Sequence, residues 1–184
     1  MRTDLDSIPA SVPYVTVAPE HAAKWRDRLP ANKPLRIAVV WSGAREFAGD
    51  ASRSIALARM KPVLADDRVA FVSLVREVRE ANAPALRGWP DLIDVSAELH
   101  DFRDTAAIIS LVDLVISVDT SVAHLAGAMA KPVWVLLPFA PEWRWMLARE
   151  DSPWYPTARL FRQPAISDWD SVITRVRDEI GRMT

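Results

Sequence analysis

The chain has 184 residues, 50% of them apolar, with 23 basic against 24 acidic side chains, a net charge of -1 and a pI near 6.3. That length fits one domain with a substantial core, and the near-neutral balance offers no bulk field to attract nucleic acid or an anionic membrane surface. The absence of cysteine excludes disulfides and thiolate metal sites, and three scattered histidines (His21, His100 and His124) argue against a zinc cluster. No run approaches the ~20 apolar residues of a membrane span, and no basic-then-apolar signal pattern opens the chain, so a cytoplasmic protein without a membrane span is expected.

Residues 1–34 carry Pro9, Pro13, Pro19, Pro30 and Pro34 and read as an extended linker, with a short helix near residues 20–29 anchored by Trp25. Linkers join two folded units, so this stretch is expected to lead in from a preceding lobe; residues 35–184 then form an α/β domain. Its first strand covers 35–41, followed by Ser42-Gly43 and a polar loop through Arg53. A helix is expected at 55–64, a strand at 69–74, a helix at 76–86 broken near Pro84, and a short strand at 92–95. The next helix, 104–111, has Asp101 or Asp104 as its cap.

The stretch 113–138, DLVISVDTSVAHLAGAMAKPVWVLLP, is a strand–turn–helix–strand unit. Both of its strands are apolar without alternation, as in a parallel sheet covered on both faces. A short helix opened by Pro141, a strand at 158–161 and an amphipathic helix over 168–183 complete the chain. Strands and helices alternate throughout. That pattern predicts a Rossmann-like parallel sheet of about six strands with helices on both faces. Five of the eight tryptophans fall in the last third (Trp134, Trp143, Trp145, Trp154 and Trp169), which predicts a surface packed on another element or a cleft wall.

The chemistry concentrates where strands feed helices. Asp119, Thr120 and Ser121 lie at such a junction, at the edge where open α/β sheets bind ligands. A helix amino end has unpaired N–H groups and a partial positive charge, so it holds a phosphate without any lysine. His124 lies one turn beyond Thr120 on the same face, continued by Gly127 and Lys131. Taken singly, each of these residues is more simply a helix cap or a packed histidine; the four together point to an anion or sugar site. Ser42-Gly43 ends the first strand at the same edge, where glycine permits close backbone approach. Neither G-x-G-x-x-G nor the Walker lysine motif is present. Arg53-Ser54 begins the following helix, where arginine grips diphosphates bidentately. Arg76 or Glu77 is placed to meet a ribose or base, although helix surface charges are the simpler reading for both.

These pieces resemble the carboxyl-terminal half of glycosyltransferase family 9, the heptosyltransferase-like enzymes, most nearly those fused behind tetratricopeptide repeats. The resemblance rests on DSIPASVPY, RIAVVWSG, RSIAL, FVSL, the block DLVISVDTSVAHLAGAMAKPVWVLLPFAPEWRWML, and DSPWYPTARLFRQ with a later DW, spanning nearly the whole chain. It implies the second lobe of a two-lobed GT-B glycosyltransferase, holding a nucleotide-diphosphate sugar donor. By that match Asp119, Thr120, Ser121 and His124 are donor contacts, Ser42 and Gly43 fall in the first-strand loop, and Arg53 and Ser54 match the basic position after it. The helix amino end and Arg53 are expected to take the leaving diphosphate's charge in place of a divalent ion, with no cofactor. Two departures stand out. The family's Asn-Pro after WSG is replaced here by Ala44-Arg45, and its Gln-Lys-Gly after FVSL by Val75-Arg76-Glu77. The acceptor site and catalytic carboxylate belong to the first lobe, so the lone lobe is expected to bind donor weakly and transfer little. The alternative is a non-catalytic nucleotide-binding or protein-interaction module with a vestigial site, with a homodimer through the tryptophan-rich last third.

Overall fold

The computed structural model describes residues 4–184, apart from the side chain of Asp6; residues 1–3 of the expected linker lie outside it. In chain order the elements are α1 (Pro19–Arg26), β1 (Leu35–Val40), α2 (Asp50–Arg53), α3 (Lys61–Leu64), β2 (Val69–Ser73), α4 (Ala83–Arg87) and β3 (Ile93–Asp94). They continue with α5 (Phe102–Leu111), β4 (Leu114–Val118), α6 (Ser121–Ala128), β5 (Val133–Leu137), β6 (Ala158–Arg162) and α7 (Trp169–Met183).

The six strands form one sheet in the order β3-β2-β1-β4-β5-β6, with every neighbouring pair parallel. Every residue of β2, β4 and β5 is buried. These strands have helices on both faces, which is why their sequences are apolar without alternation. The order grows leftward from β1 to β3, then returns to β1's other side with β4 and grows rightward. That reversal leaves a crevice outside the carboxyl ends of β1 and β4. Val39 is in register with Ser73 on one side and Ile116 on the other.

Helices α1, α5 and α6 pack in one layer, and α3, α4 and α7 in the other, together with a 3-10 turn at Leu57–Met60. Right-handed crossovers running in opposite directions from β1 put these layers on opposite faces. The segment before β1 is packed on the first layer. Trp25 is buried against α5, and its Nε1 donates to Asp104 at 3.3 Å. Lys24 Nζ donates to the same carboxylate at 3.1 Å. Removing such a buried indole costs about 3–5 kcal/mol.

Several elements differ from the sequence expectations. The helix expected at 55–64 is split into the 3-10 turn and α3; Pro62 lacks the N–H that a continuous helix needs. Residues 76–79 are not helical. Pro84 does not break a helix but lies in the first turn of α4, where its missing donor is harmless. Helix α5 starts before Asp104, because Asp101 is the cap and accepts from Arg103 N. The short helix expected from Pro141 is only a 3-10 turn at Trp143–Trp145, closed by Met146 at φ 51°. Of the five late tryptophans, Trp134, Trp145 and Trp169 are core residues, and only Trp143 is widely exposed.

Candidate functional site

The crevice predicted by the strand order holds a cavity of about 630 Å3, within the range of small-molecule sites. Ser42, Gly43, Thr120 and Ser121 line it, together with Val75 and Phe102 as apolar walls. Strand β1 delivers Ser42-Gly43 to the crevice because its apolar residues continue through buried Trp41. Strand β4 delivers Asp119 and Thr120 in the same way.

At the start of α6 the backbone is left open. Thr120 occupies the cap position in an extended conformation, but its side chain makes no cap hydrogen bond. Its Oγ1 lies 3.0 Å from Ser117 Oγ instead. Ala123 N and His124 N reach Thr120 O, at 3.0 and 3.4 Å. Among the described residues, nothing accepts from the amides of Ser121 and Val122. Ser42 lines the same cavity, is 5% exposed, and has an Oγ without a hydrogen-bond partner. A buried hydroxyl left unpaired is costly, and backbone donors without protein acceptors at a helix amino end are the kind of group that an anion can meet.

Behind Gly43 lies a charged cluster. The Asp50 carboxylate pairs with Arg53 Nε at 3.4 Å, with Arg79 Nη2, and with Ser54 Oγ at 2.9 Å. Burial pushes the Asp50 carboxyl up, but the hydrogen bonds from Ser54, Arg79 and Arg53 outweigh it and hold its pKa below the ordinary value. Arg79 also donates to Gly43 O at 3.3 Å, and Ser54 Oγ accepts from Gly43 N at 3.1 Å. Arg53 lies over the Phe47 ring and donates through Nη1 to Asp119 O. A Cβ at position 43 would overlap the Arg53 guanidinium and stand 2.7 Å from Asp50 Oδ1. A side chain at position 43 would therefore oblige the Arg53 and Asp50 side-chain ends behind the loop to shift.

His124 faces the other way, toward β5. Its ring stacks on Trp145 with centroids 5.1 Å apart, and Nδ1 lies 3.1 Å from Tyr155 Oη. Nε2 lies 3.8 Å from Asp119 Oδ1. Burial holds the imidazole below its ordinary pKa, with Asp119 pulling partly against it. Tyr155 is pushed up to about 12 by burial and by its hydrogen bond with Tyr14.

The predicted residues thus fall into three groups. Ser42, Gly43, Thr120 and Ser121 meet at the cavity. Asp119 and His124 are paired beside α6, on the aromatic side. Arg53 and Ser54 lie behind Gly43, in a network with Asp50 and Arg79 that sequence reasoning did not find. Lys131 leaves the site altogether, donating to the Ser110 and Val112 carbonyls at the carboxyl end of α5. Arg76, first read as a helix surface charge, is not helical and is the cavity's only basic lining residue among those described. A basic residue just past a strand's carboxyl end was the available signal. The spacing Asp168-Trp169-Asp170 matches a divalent-metal motif, but Asp168 caps α7 through Ser171 and Asp170 pairs with Arg59.

Comparison with known proteins bears on the fold. The model of Glycosyltransferase family 9 (heptosyltransferase) matches residues 75–146, from just after β2 through the tryptophan turn. Protein FlbA of Caulobacter vibrioides is 28% identical over 184 residues, covering 96% of this chain and 30% of FlbA. Among solved structures, E. coli ADP-heptose LPS heptosyltransferase II superposes with a TM-score of 0.61 at 16% identity, covering 95% of this chain and 54% of that one. E. coli heptosyltransferase WaaC with ADP gives 0.58 at 16% identity, covering 97% and 53%. A family 9 glycosyl transferase from Veillonella parvula gives 0.58 at 14%, covering 92% and 44%. The fold is that of one lobe of a GT-B heptosyltransferase. The chain spans about half the length of these solved relatives and under a third of FlbA.

Proposed function

We propose that this chain is the carboxyl-terminal, donor-binding lobe of a metal-independent family 9 glycosyltransferase, with residues 35–184 holding a nucleotide-diphosphate sugar and residues 1–34 leading in from a first lobe. The diphosphate sits at the amino end of α6, held by the Ser121 and Val122 amides and the Ser42 hydroxyl, with Arg76 as the cation. As the glycosyl bond breaks, charge grows on the leaving diphosphate. A fixed helix end and a hydroxyl already turned to that spot stabilise it without reorganising. Arg53 acts from behind, fixing the Asp119 carbonyl and so the start of α6. The acceptor and its catalytic carboxylate belong to the first lobe.

The observation that carries this reading is the unpaired Oγ of buried Ser42 at a cavity shared with the free amides of α6. It supplies a discriminating test. In the free protein the hydroxyl has no protein partner, so Ser42→Ala leaves the unfolding temperature little changed or raises it. In the complex it loses a charge-assisted bond of about 1.5 kcal/mol or more, so calorimetric affinity for a nucleoside diphosphate drops about tenfold. Unchanged affinity in Ser42→Ala, or no binding of any nucleoside diphosphate by the natural chain, rejects the reading.

A further inference from the structure

Beyond the diphosphate site, we infer that Trp143 is a stacking platform for the sugar ring of the bound nucleotide sugar, an assignment that rests on the donor-binding reading above.

A nucleotide-diphosphate sugar is a linear ligand: nucleoside, two phosphates, sugar. The start of α6 separates two unlike regions. On the β1–β2 side lies the cavity with its apolar walls, Val75, Leu99 and Phe102 among them. On the β5 side lie Asp119, His124 and the aromatic cluster built on Trp145 and Tyr155. With the diphosphate pinned at the helix tip and the flat nucleoside in the walled cavity, the sugar leaves on the β5 side.

There the turn Trp143–Trp145 presents one indole to each direction. Trp145 is 1% exposed and stacks inward on His124, whereas Trp143 is 66% exposed. The exposed ring is nonetheless held in place. The Arg144 guanidinium lies over it at 4.6 Å, and Trp154 stands at 83° to it with centroids 5.9 Å apart. Trp154 Nε1 is itself tied to Arg144 O at 3.2 Å. Glu142 caps the turn through Arg144 N at 3.0 Å and pairs with Arg144 Nη1 at 2.6 Å. The residue stays 66% exposed although Arg144 lies over its ring and Trp154 stands against it, so much of the side chain remains open to a ligand. An exposed indole held at its edge offers a flat apolar surface that a ligand can cover. The apolar C–H face of a pyranose fits such a ring, while its hydroxyls need a carboxylate and a guanidinium alongside. Glu142 and Arg144 supply both, and they belong to the same turn as Trp145, which stacks on His124.

The test compares two ligands differing only in the sugar. The full chain is titrated calorimetrically with ADP, UDP, GDP, CDP and dTDP, and with the glucose conjugate of each that binds. Trp143 is mostly exposed, so its replacement leaves the fold intact. In Trp143→Ala the conjugate is expected to weaken about fivefold to tenfold while the bare diphosphate stays within about twofold, with Trp143→Phe recovering most of the loss. Equal weakening of both ligands, or of neither, overturns the platform while leaving the donor site standing. If none of the five diphosphates binds the natural chain, the donor reading fails and the platform with it. If Trp143→Ala turns a dimer into a monomer with both affinities unchanged, the ring is a contact between copies of this chain, and the assignment is overturned.

Discussion

The Tyr155 ring fills the space that a side chain on Gly127 would need. A Cβ there would overlap the ring's Cγ and Cδ1 and stand 2.9 Å from its Cβ. The missing side chain on α6 lets Tyr155 reach His124, one helical turn earlier, and hold its Nδ1.

Two effects of opposite sign meet at Gly127→Ala. Helix propensity alone favours alanine by about 1 kcal/mol. Overlap with a packed ring costs about 1–3 kcal/mol. Overlap is expected to win, so urea unfolding should show a net loss of stability. A gain would mean that Tyr155 moves aside freely and does not fix His124.

His124 makes stability depend on pH. Its folded pKa lies below the ordinary 6.5 because of burial. The folded state therefore binds the proton less readily than the unfolded chain, and the contribution is fully present above 6.5. It is lost as pH falls from there through the folded value. Unfolding measured across pH 7.5 to about 5 should show stability declining, with the decline flattened in His124→Gln. An unchanged slope in the variant would place the titrating group elsewhere.

Asp50 carries two arginines. Its side chain is 7% exposed, against 15% for Arg53 and 25% for Arg79. Asp50→Ala leaves both cations unpaired and is expected to cost about 2–4 kcal/mol. Asp170→Ala provides the contrast: that carboxylate, 81% exposed, pairs with a half-exposed Arg59 and should change stability by under about 0.5 kcal/mol. Chemical denaturation of both variants checks the difference.

Arg76 lines the cavity and is exposed, so Arg76→Ala should leave stability within about 0.5 kcal/mol. Nucleoside-diphosphate affinity should fall about threefold to tenfold at low salt, with the gap closing as added salt screens the charge. A loss that ignores ionic strength would speak against a charge contact.

Much of this architecture can be read along the chain because it is local. The apolar runs of β2, β4 and β5 announce a covered parallel sheet, and Asp119-Thr120-Ser121 lies where one run ends and a helix begins. The proline positions misled at 55–64 and 76–86, because the same residue breaks a helix in its middle and opens one in its first turn.

The remaining arrangement depends on loops that meet only once the sheet has closed. Arg53 finds the Asp119 carbonyl 66 positions later, and Arg79 finds Asp50 across 29. Nothing in either arginine's neighbourhood announces that partner. The spacing of Thr120 and His124 suggested a common face of α6. In the fold Thr120 lines the cavity, while Trp145 and Tyr155 draw His124 toward β5. Periodicity tells which residues share a turn of helix. Which neighbour each one meets follows from the strand order, because the reversal between β1 and β4 opens the crevice on one side of the helix and packs the other.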